Sequence, residues 1–122
     1  MEVRRKVCIL EDDEDIREII GFLLESEHYE VFSYPTVKDF EIGTTAVTPD
    51  VFILDIMLPD GNGIEVCNKI KSNARFSTIP VIMMSANYNE TEVYQNCKAE
   101  DFIRKPFDIG DFIDRVAIQL RH

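Results

Sequence analysis

The sequence predicts an α/β domain built on a doubly wound, five-stranded parallel sheet. Three observations lead there. The 122 residues suit one domain large enough to bury a real core, with no room for a second. Short apolar runs rich in β-branched and aromatic residues alternate strictly with segments of helical periodicity. No repeat, low-complexity tract or linker rich in Gly, Pro or Ser interrupts that alternation, so residues 1–122 read as a single domain. Right-handed crossovers between parallel strands put helices on both faces, and the strand order expected is 2-1-3-4-5. In that order strands one and three are neighbours, the chain reverses between them, and their carboxyl ends form the crevice where a site belongs.

Lys6 to Leu10 is the first strand. Ile16, Ile19, Ile20, Leu23 and Leu24 then line one face of a helix whose acidic start suits the helix dipole. Glu30 to Tyr34 makes the second strand, ended by Pro35, and a weaker helical segment covers Val37 to Ile42. Val51 to Asp55 is an apolar run that ends abruptly in one carboxylate, as a strand buried on both faces would. Pro59, Asp60, Gly61, Asn62 and Gly63 read as an exposed loop beside it. The next helix runs from about Gly63 to Ser72 with Val66, Cys67 and Ile70 inward, and Pro80 introduces strand four, Val81 to Met84. Asn89 to Cys97 is a short helix with Val93, Tyr94 and Cys97 at i, i+1 and i+4, and Asp101 to Arg104 is the fifth strand. Ile109, Phe112, Ile113, Val116, Ala117 and Leu120 keep the helical period to the end.

Charge narrows the function classes. Asp and Glu number 23 against 13 Lys and Arg, a formal charge of -10, which opposes direct nucleic-acid binding or attachment to an anionic membrane. A cation or a basic partner fits better. The first ten residues are too short of apolar side chains for a signal peptide or a membrane span, so the expected location is cytoplasmic. Cys8, Cys67 and Cys97 stand in no metal-ligand or redox spacing and are expected to be reduced, buried thiols.

At the crevice, Glu11 and Asp12 leave strand one, Asp55 leaves strand three, and Ser85 and Lys105 leave strands four and five. Three carboxylates packed together repel, and oxygen-only ligands select a hard divalent cation such as Mg2+. Such an ion takes one or two carboxylates plus a phosphate, leaving a carboxylate free as nucleophile, and Asp55 is central. Phosphoryl transfer needs mainly positioning and neutralisation of charge, which Lys105 and the Ser85 hydroxyl would supply.

These residues resemble a receiver domain of a two-component response regulator, from end to end. The resemblance is carried by Glu11-Asp12 after an apolar strand, Asp55 followed by Met57-Leu58-Pro59 and Asn62-Gly63, Ser85-Ala86, and Lys105-Pro106-Phe107. It implies the five-unit flavodoxin-like receiver fold. It also implies that Asp55 accepts a phosphoryl group from a sensor histidine kinase or histidine phosphotransfer domain. Glu11, Asp12, Asp55 and the Met57 backbone carbonyl would hold magnesium, with Glu11 acting through water. Ser85 would be the hydroxyl that moves onto the phosphoryl group, Phe102 the aromatic switch residue, Lys105 the cation paired with phosphoaspartate, and the Lys105-Pro106 bond cis. The domain would not be an enzyme acting on a separate substrate, although it would promote its own phosphorylation and dephosphorylation. A phosphorylation-dependent homodimer is a further implication.

The chain departs from the family between Ser85 and Lys105, where it is shorter than usual, so helix four is expected to be trimmed. Cys97-Lys98-Ala99-Glu100 also replaces the usual Ala-Gly-Ala before the fifth strand. Two other classes fit the sequence less well. An aspartate-nucleophile phosphatase would carry Asp at position 57, where this chain has Met57, and would need an inserted cap. A flavodoxin-like cofactor carrier would need small residues after strand one, where Glu11 to Asp15 would repel a phosphate instead. A pseudo-receiver acting only in docking is opposed by the intact Asp55, Lys105 and acidic pair.

Overall fold

The computed structural model describes residues 3–121. Its main sheet contains β1 (Lys6–Leu10), β2 (Glu30–Tyr34), β3 (Val51–Asp55), β4 (Val81–Ser85) and β5 (Asp101–Arg104). All neighbours pair in parallel, in the spatial order β2-β1-β3-β4-β5, as expected. Five helices connect or follow the strands: α1 (Glu14–Ser26), α2 (Val37–Gly43), α3 (Gly63–Ser72), α4 (Glu90–Asn96) and α5 (Ile109–Gln119).

Every residue of β3 and β4 is buried, because side chains alternate between two cores. Cys8, Leu10, Phe52, Leu54 and Met83 face the layer of α2, α3 and α4, where Phe40, Val66, Ile70 and Val93 meet them. Val7, Ile9, Ile53, Ile82 and Met84 face Ile20 and Leu24 of α1 and Phe112 and Val116 of α5. Burying such a side chain contributes roughly 1.5–3 kcal/mol, so a one-residue register slip would be opposed by the whole set. The three cysteines are free and buried, as expected.

Three residues of the expected helical patterns lie outward. Ile19, Tyr94 and Ile109 are exposed rather than buried. Ile19 and Tyr94 each sit one position from a fully buried neighbour, Ile20 and Val93, and about 100° around the helix, which takes them off the buried stripe. Ile109 is the first residue of α5, where the helix has only begun to approach the sheet. The expected loop over Pro59–Gly63 is also more ordered than predicted: Met57–Leu58 and Gly61–Asn62 pair as a small antiparallel hairpin, and Gly63 already opens α3.

α4 has seven residues and is closed at its start by a reciprocal cap, with Glu92 N–H donating to Asn89 Oδ1 at 2.8 Å and Asn89 N–H donating to Glu92 Oε1 at 3.4 Å. The Cys97–Glu100 segment needs no glycine, since His28 is the only described non-glycine residue with positive φ and no described glycine has one. Glu100 pins this segment instead. Its carboxylate accepts from Val81 N–H at 2.7 Å and from Lys71 Nζ at 2.8 Å, while its own N–H donates to the Val81 carbonyl at 2.9 Å. Among the described residues no helix is long and apolar enough to cross a membrane.

Candidate functional site

The carboxyl ends of β1 and β3 lie side by side, with Leu10 in register with Leu54, so the residues that follow share one crevice. The carboxylate oxygens of Glu11, Asp12 and Asp55 come within 4.8 Å of one another. Asp12 is exposed at the mouth, whereas Glu11 and Asp55 are buried. β5 delivers Lys105 to the same place: its N–H donates to the Ser85 carbonyl at 3.0 Å, its Nζ lies 3.3 Å from Asp55 Oδ2, and Nζ also donates to Glu11 Oε1. The Lys105-Pro106 bond is cis.

Electrostatics in this crevice are strongly coupled. Burial pushes the Glu11 carboxyl up to about 7; the hydrogen bond from Lys105 opposes this and the Asp55 charge adds to it. Burial pulls the Lys105 ammonium down, but Glu11 and Asp55 outweigh burial and hold it above its ordinary value. A single ammonium therefore partly neutralises two buried carboxylates, with a third close by. The donor set is all oxygen, excess negative, and open to solvent through Asp12, which fits a hard divalent cation that retains water.

Ser85 is buried, and its Oγ accepts from Asn87 N–H at 3.1 Å and Tyr88 N–H at 3.2 Å, so it fastens the turn leading to α4 while its own proton stays available to donate. Phe102 is buried, in register with Met83 and within the core that also contains Val93 and Cys97. Met57 begins the small hairpin with its side chain exposed.

Sequence reasoning missed three supports. Asn87 Nδ2 donates to Met57 Sδ at 3.0 Å, which links the loops after β3 and β4 beside the crevice. Asp60 accepts from Val37 N–H at 2.8 Å and Lys38 N–H at 3.0 Å, tying the loop after β3 to the start of α2; those two bonds hold its carboxyl below the usual range. Arg17 donates to the Glu11 carbonyl at 2.9 Å and thereby steadies the acidic turn. Only Asp60 carried a sequence signal, as part of the turn cluster, and that signal did not point to α2.

Fold and crevice together define an open α/β domain with an acidic, lysine-closed site at its topological switch point. The sequence matches the family described as response regulator receiver domain over residues 7–117, and the chain belongs to that family. It is thus a domain of two-component signalling. It is 32% identical over 118 residues to the phosphate regulon transcriptional regulatory protein PhoB of Rhizobium meliloti, covering 95% of this chain and 52% of the relative. It is 35% identical to the regulatory protein VanR of Enterococcus faecium, covering 95% of this chain and 50% of that one. The chain spans about half the length of these curated relatives. Among solved structures, the non-phosphorylated HemR receiver domain of Leptospira biflexa superposes with a TM-score of 0.88 at 26% identity, covering 98% of this chain and 96% of the other.

Proposed function

We propose that Asp55 is the phosphoacceptor of this receiver domain, taking the group from a sensor histidine kinase or a histidine phosphotransfer domain. One observation carries the reading: Asp55 Oδ2 stands 3.3 Å from Lys105 Nζ inside a crevice shared with Glu11 and Asp12. In the transfer, an Asp55 carboxylate oxygen forms a bond to phosphorus, the bond from phosphorus to the donor imidazole nitrogen breaks, and that nitrogen keeps the electron pair. Asp55 Oδ1 accepts from Ile56 N–H at 2.9 Å, which orients the carboxylate and leaves Oδ2 toward the lysine.

Glu11, Asp12, Asp55 and the Met57 carbonyl would hold Mg2+, which when bound supplies neutralisation of phosphoryl charge. Lys105 adds a fixed cation to the same oxygens, and the free proton of the Ser85 hydroxyl is the donor able to follow them. For the switch, Ser85 gives up its two acceptor bonds to Asn87 and Tyr88 and moves toward the phosphoryl group. Phe102 is inward in this structure, and the exchange proposed takes it between this position and an outward one. Phosphorylation shifts that population rather than creating a new fold.

Exposed Ile19 and Phe22 on α1 and Ile109 at the start of α5 support a protein partner on the face of the sheet that these two helices share. The -10 charge supports a role without direct nucleic-acid contact by this domain, and with a phosphorylation-dependent homodimer or a separate effector as the readout. The decisive experiment is intact mass after incubation with acetyl phosphate, with and without magnesium, on wild type and Asp55→Asn. A magnesium-dependent gain of one phosphoryl group, absent in the variant, is expected. No gain by a folded wild-type protein would overturn the assignment in favour of a docking module.

A further inference from the structure

A cleft of about 280 Å3 lies between α2 and α3, away from the acidic crevice. In a parallel sheet the helices run back toward the amino ends of the strands, and the cleft is reached by the last residues of both helices, including Thr44 after α2 and Asn73 after α3. It therefore sits at the end of the domain opposite Asp55. Its walls are apolar, with Phe40, Val66, Ile70 and Phe76 contributing, and its size falls just below the usual range for small-molecule sites, roughly 300–1,000 Å3, which suits a ring-sized body.

The rim carries one net positive charge, from Lys69 and Arg75 against Glu41. In a chain with a formal charge of -10, the cleft carries two cations, Lys69 and Arg75, and among the described residues neither has a carboxylate within 4.0 Å. Arg75 is held by neutral acceptors alone: Nε and Nη2 donate to Thr48 Oγ1 at 3.1 and 2.8 Å, and Nη1 donates to the Thr44 and Thr45 carbonyls at 3.1 and 3.3 Å. The guanidinium also lies 4.7 Å from the centre of the Phe76 ring. These contacts cap the end of α2, which accounts for the fixed position of Arg75. They leave its positive charge unmatched, and they leave one Nη2 proton without a partner. Lys69, in the last turn of α3, makes no described hydrogen bond or ion pair.

We infer that this cleft binds a small monocarboxylate with an aromatic or branched aliphatic body, its ring against Phe40 and Phe76 and its carboxylate between Lys69 and Arg75. The apolar floor supplies burial and the two cations supply the charge complement. Glu41, the one carboxylate in the lining, sets the limit on charge. With Lys69 and Arg75 it leaves the lining one net positive charge, which one carboxylate matches and a second would exceed.

The test is titration of nitrogen-15-labelled protein with 3-phenylpropionate, its neutral amide, and inorganic phosphate, followed by chemical shifts. Saturable shifts confined to the ends of α2 and α3 are expected with the carboxylate. Binding should weaken roughly tenfold for the amide and in Lys69→Gln and Arg75→Gln, as loss of a charge-assisted contact requires. Lys69 makes no described hydrogen bond within the fold, so Lys69→Gln keeps the test decisive even if Arg75→Gln disturbs α2. Scattered or unsaturable shifts, equal affinity for the amide, an unaffected Lys69→Gln, or tighter binding of phosphate at this cleft would each overturn the inference.

Discussion

Gly63 is pressed against the backbone of Asp55: a Cβ built on it would lie 1.9 Å from the Asp55 carbonyl oxygen and 2.8 Å from its carbon. The same glycine donates its N–H to the Ile56 carbonyl at 2.8 Å, so α3 begins in direct contact with the end of β3. The obstacle is backbone, which has no rotamer to give. Gly63→Ala is therefore expected to cost more than about 2 kcal/mol in urea unfolding, and to lower the extent of phosphorylation in whatever fraction remains folded. Equal stability of variant and wild type would show that the α3 start moves freely relative to Asp55.

Lys105 bridges Glu11 and Asp55, so removing it leaves two buried carboxylates without their shared cation. Lys105→Met should destabilise the metal-free protein by roughly 3 kcal/mol and bind magnesium more tightly than wild type, because a competing positive charge has gone. Phosphorylation by acetyl phosphate should nevertheless slow. Unfolding curves with and without magnesium, alongside intact mass, separate these effects.

Metal-free stability should fall as pH rises. The Glu11 carboxyl is raised to about 7 from an ordinary 4.5, so between those values the folded state holds a proton that the unfolded state has released. Stability from this group is full below about pH 4.5 and is lost as pH rises through 7, by at most roughly 3 kcal/mol. Magnesium favours the ionised carboxylate and should flatten the slope. Thermal midpoints at pH 5, 6, 7 and 8 in chelator and in magnesium test this, and Glu11→Gln should remove the slope in chelator.

Asn87 and Met57 are linked across the two loops beside the crevice at 3.0 Å. Asn87→Ala should loosen that link and open one approach to water, shortening the life of phosphorylated Asp55 by a few-fold with little change in stability. Decay of the phosphorylated mass after donor removal measures it; an unchanged decay rate would mean that water enters elsewhere.

Glu100 closes the turn before β5, and its carboxylate serves both Val81 N–H and Lys71. Glu100→Ala leaves the buried first residue of β4 without its acceptor and is expected to cost about 1–3 kcal/mol. Glu100→Gln, which retains an acceptor but loses the ion pair, should recover most of it, since a half-exposed ion pair contributes little. Denaturant unfolding of both variants decides between the hydrogen bond and the charge.

The five strands, their order, the helical segments and the meeting of Glu11, Asp12, Asp55 and Lys105 followed from the sequence alone. Strands buried on both faces must be short apolar runs, and strict alternation with helices leaves few topologies. The residues at the carboxyl ends of those strands follow from the topology alone. Tertiary structure decided what depends on distance across the chain. Glu11 and Lys105 are 94 positions apart, and only packing shows that the lysine serves Glu11 as well as Asp55. Packing also turned Ile19, Tyr94 and Ile109 outward, occupied the Ser85 hydroxyl oxygen with the turn before α4, and set Glu100 beneath β4. Local periodicity describes which face of a segment is apolar; how far that face reaches into the core, and which polar group meets which, is set by neighbours that the segment meets only once the sheet has formed.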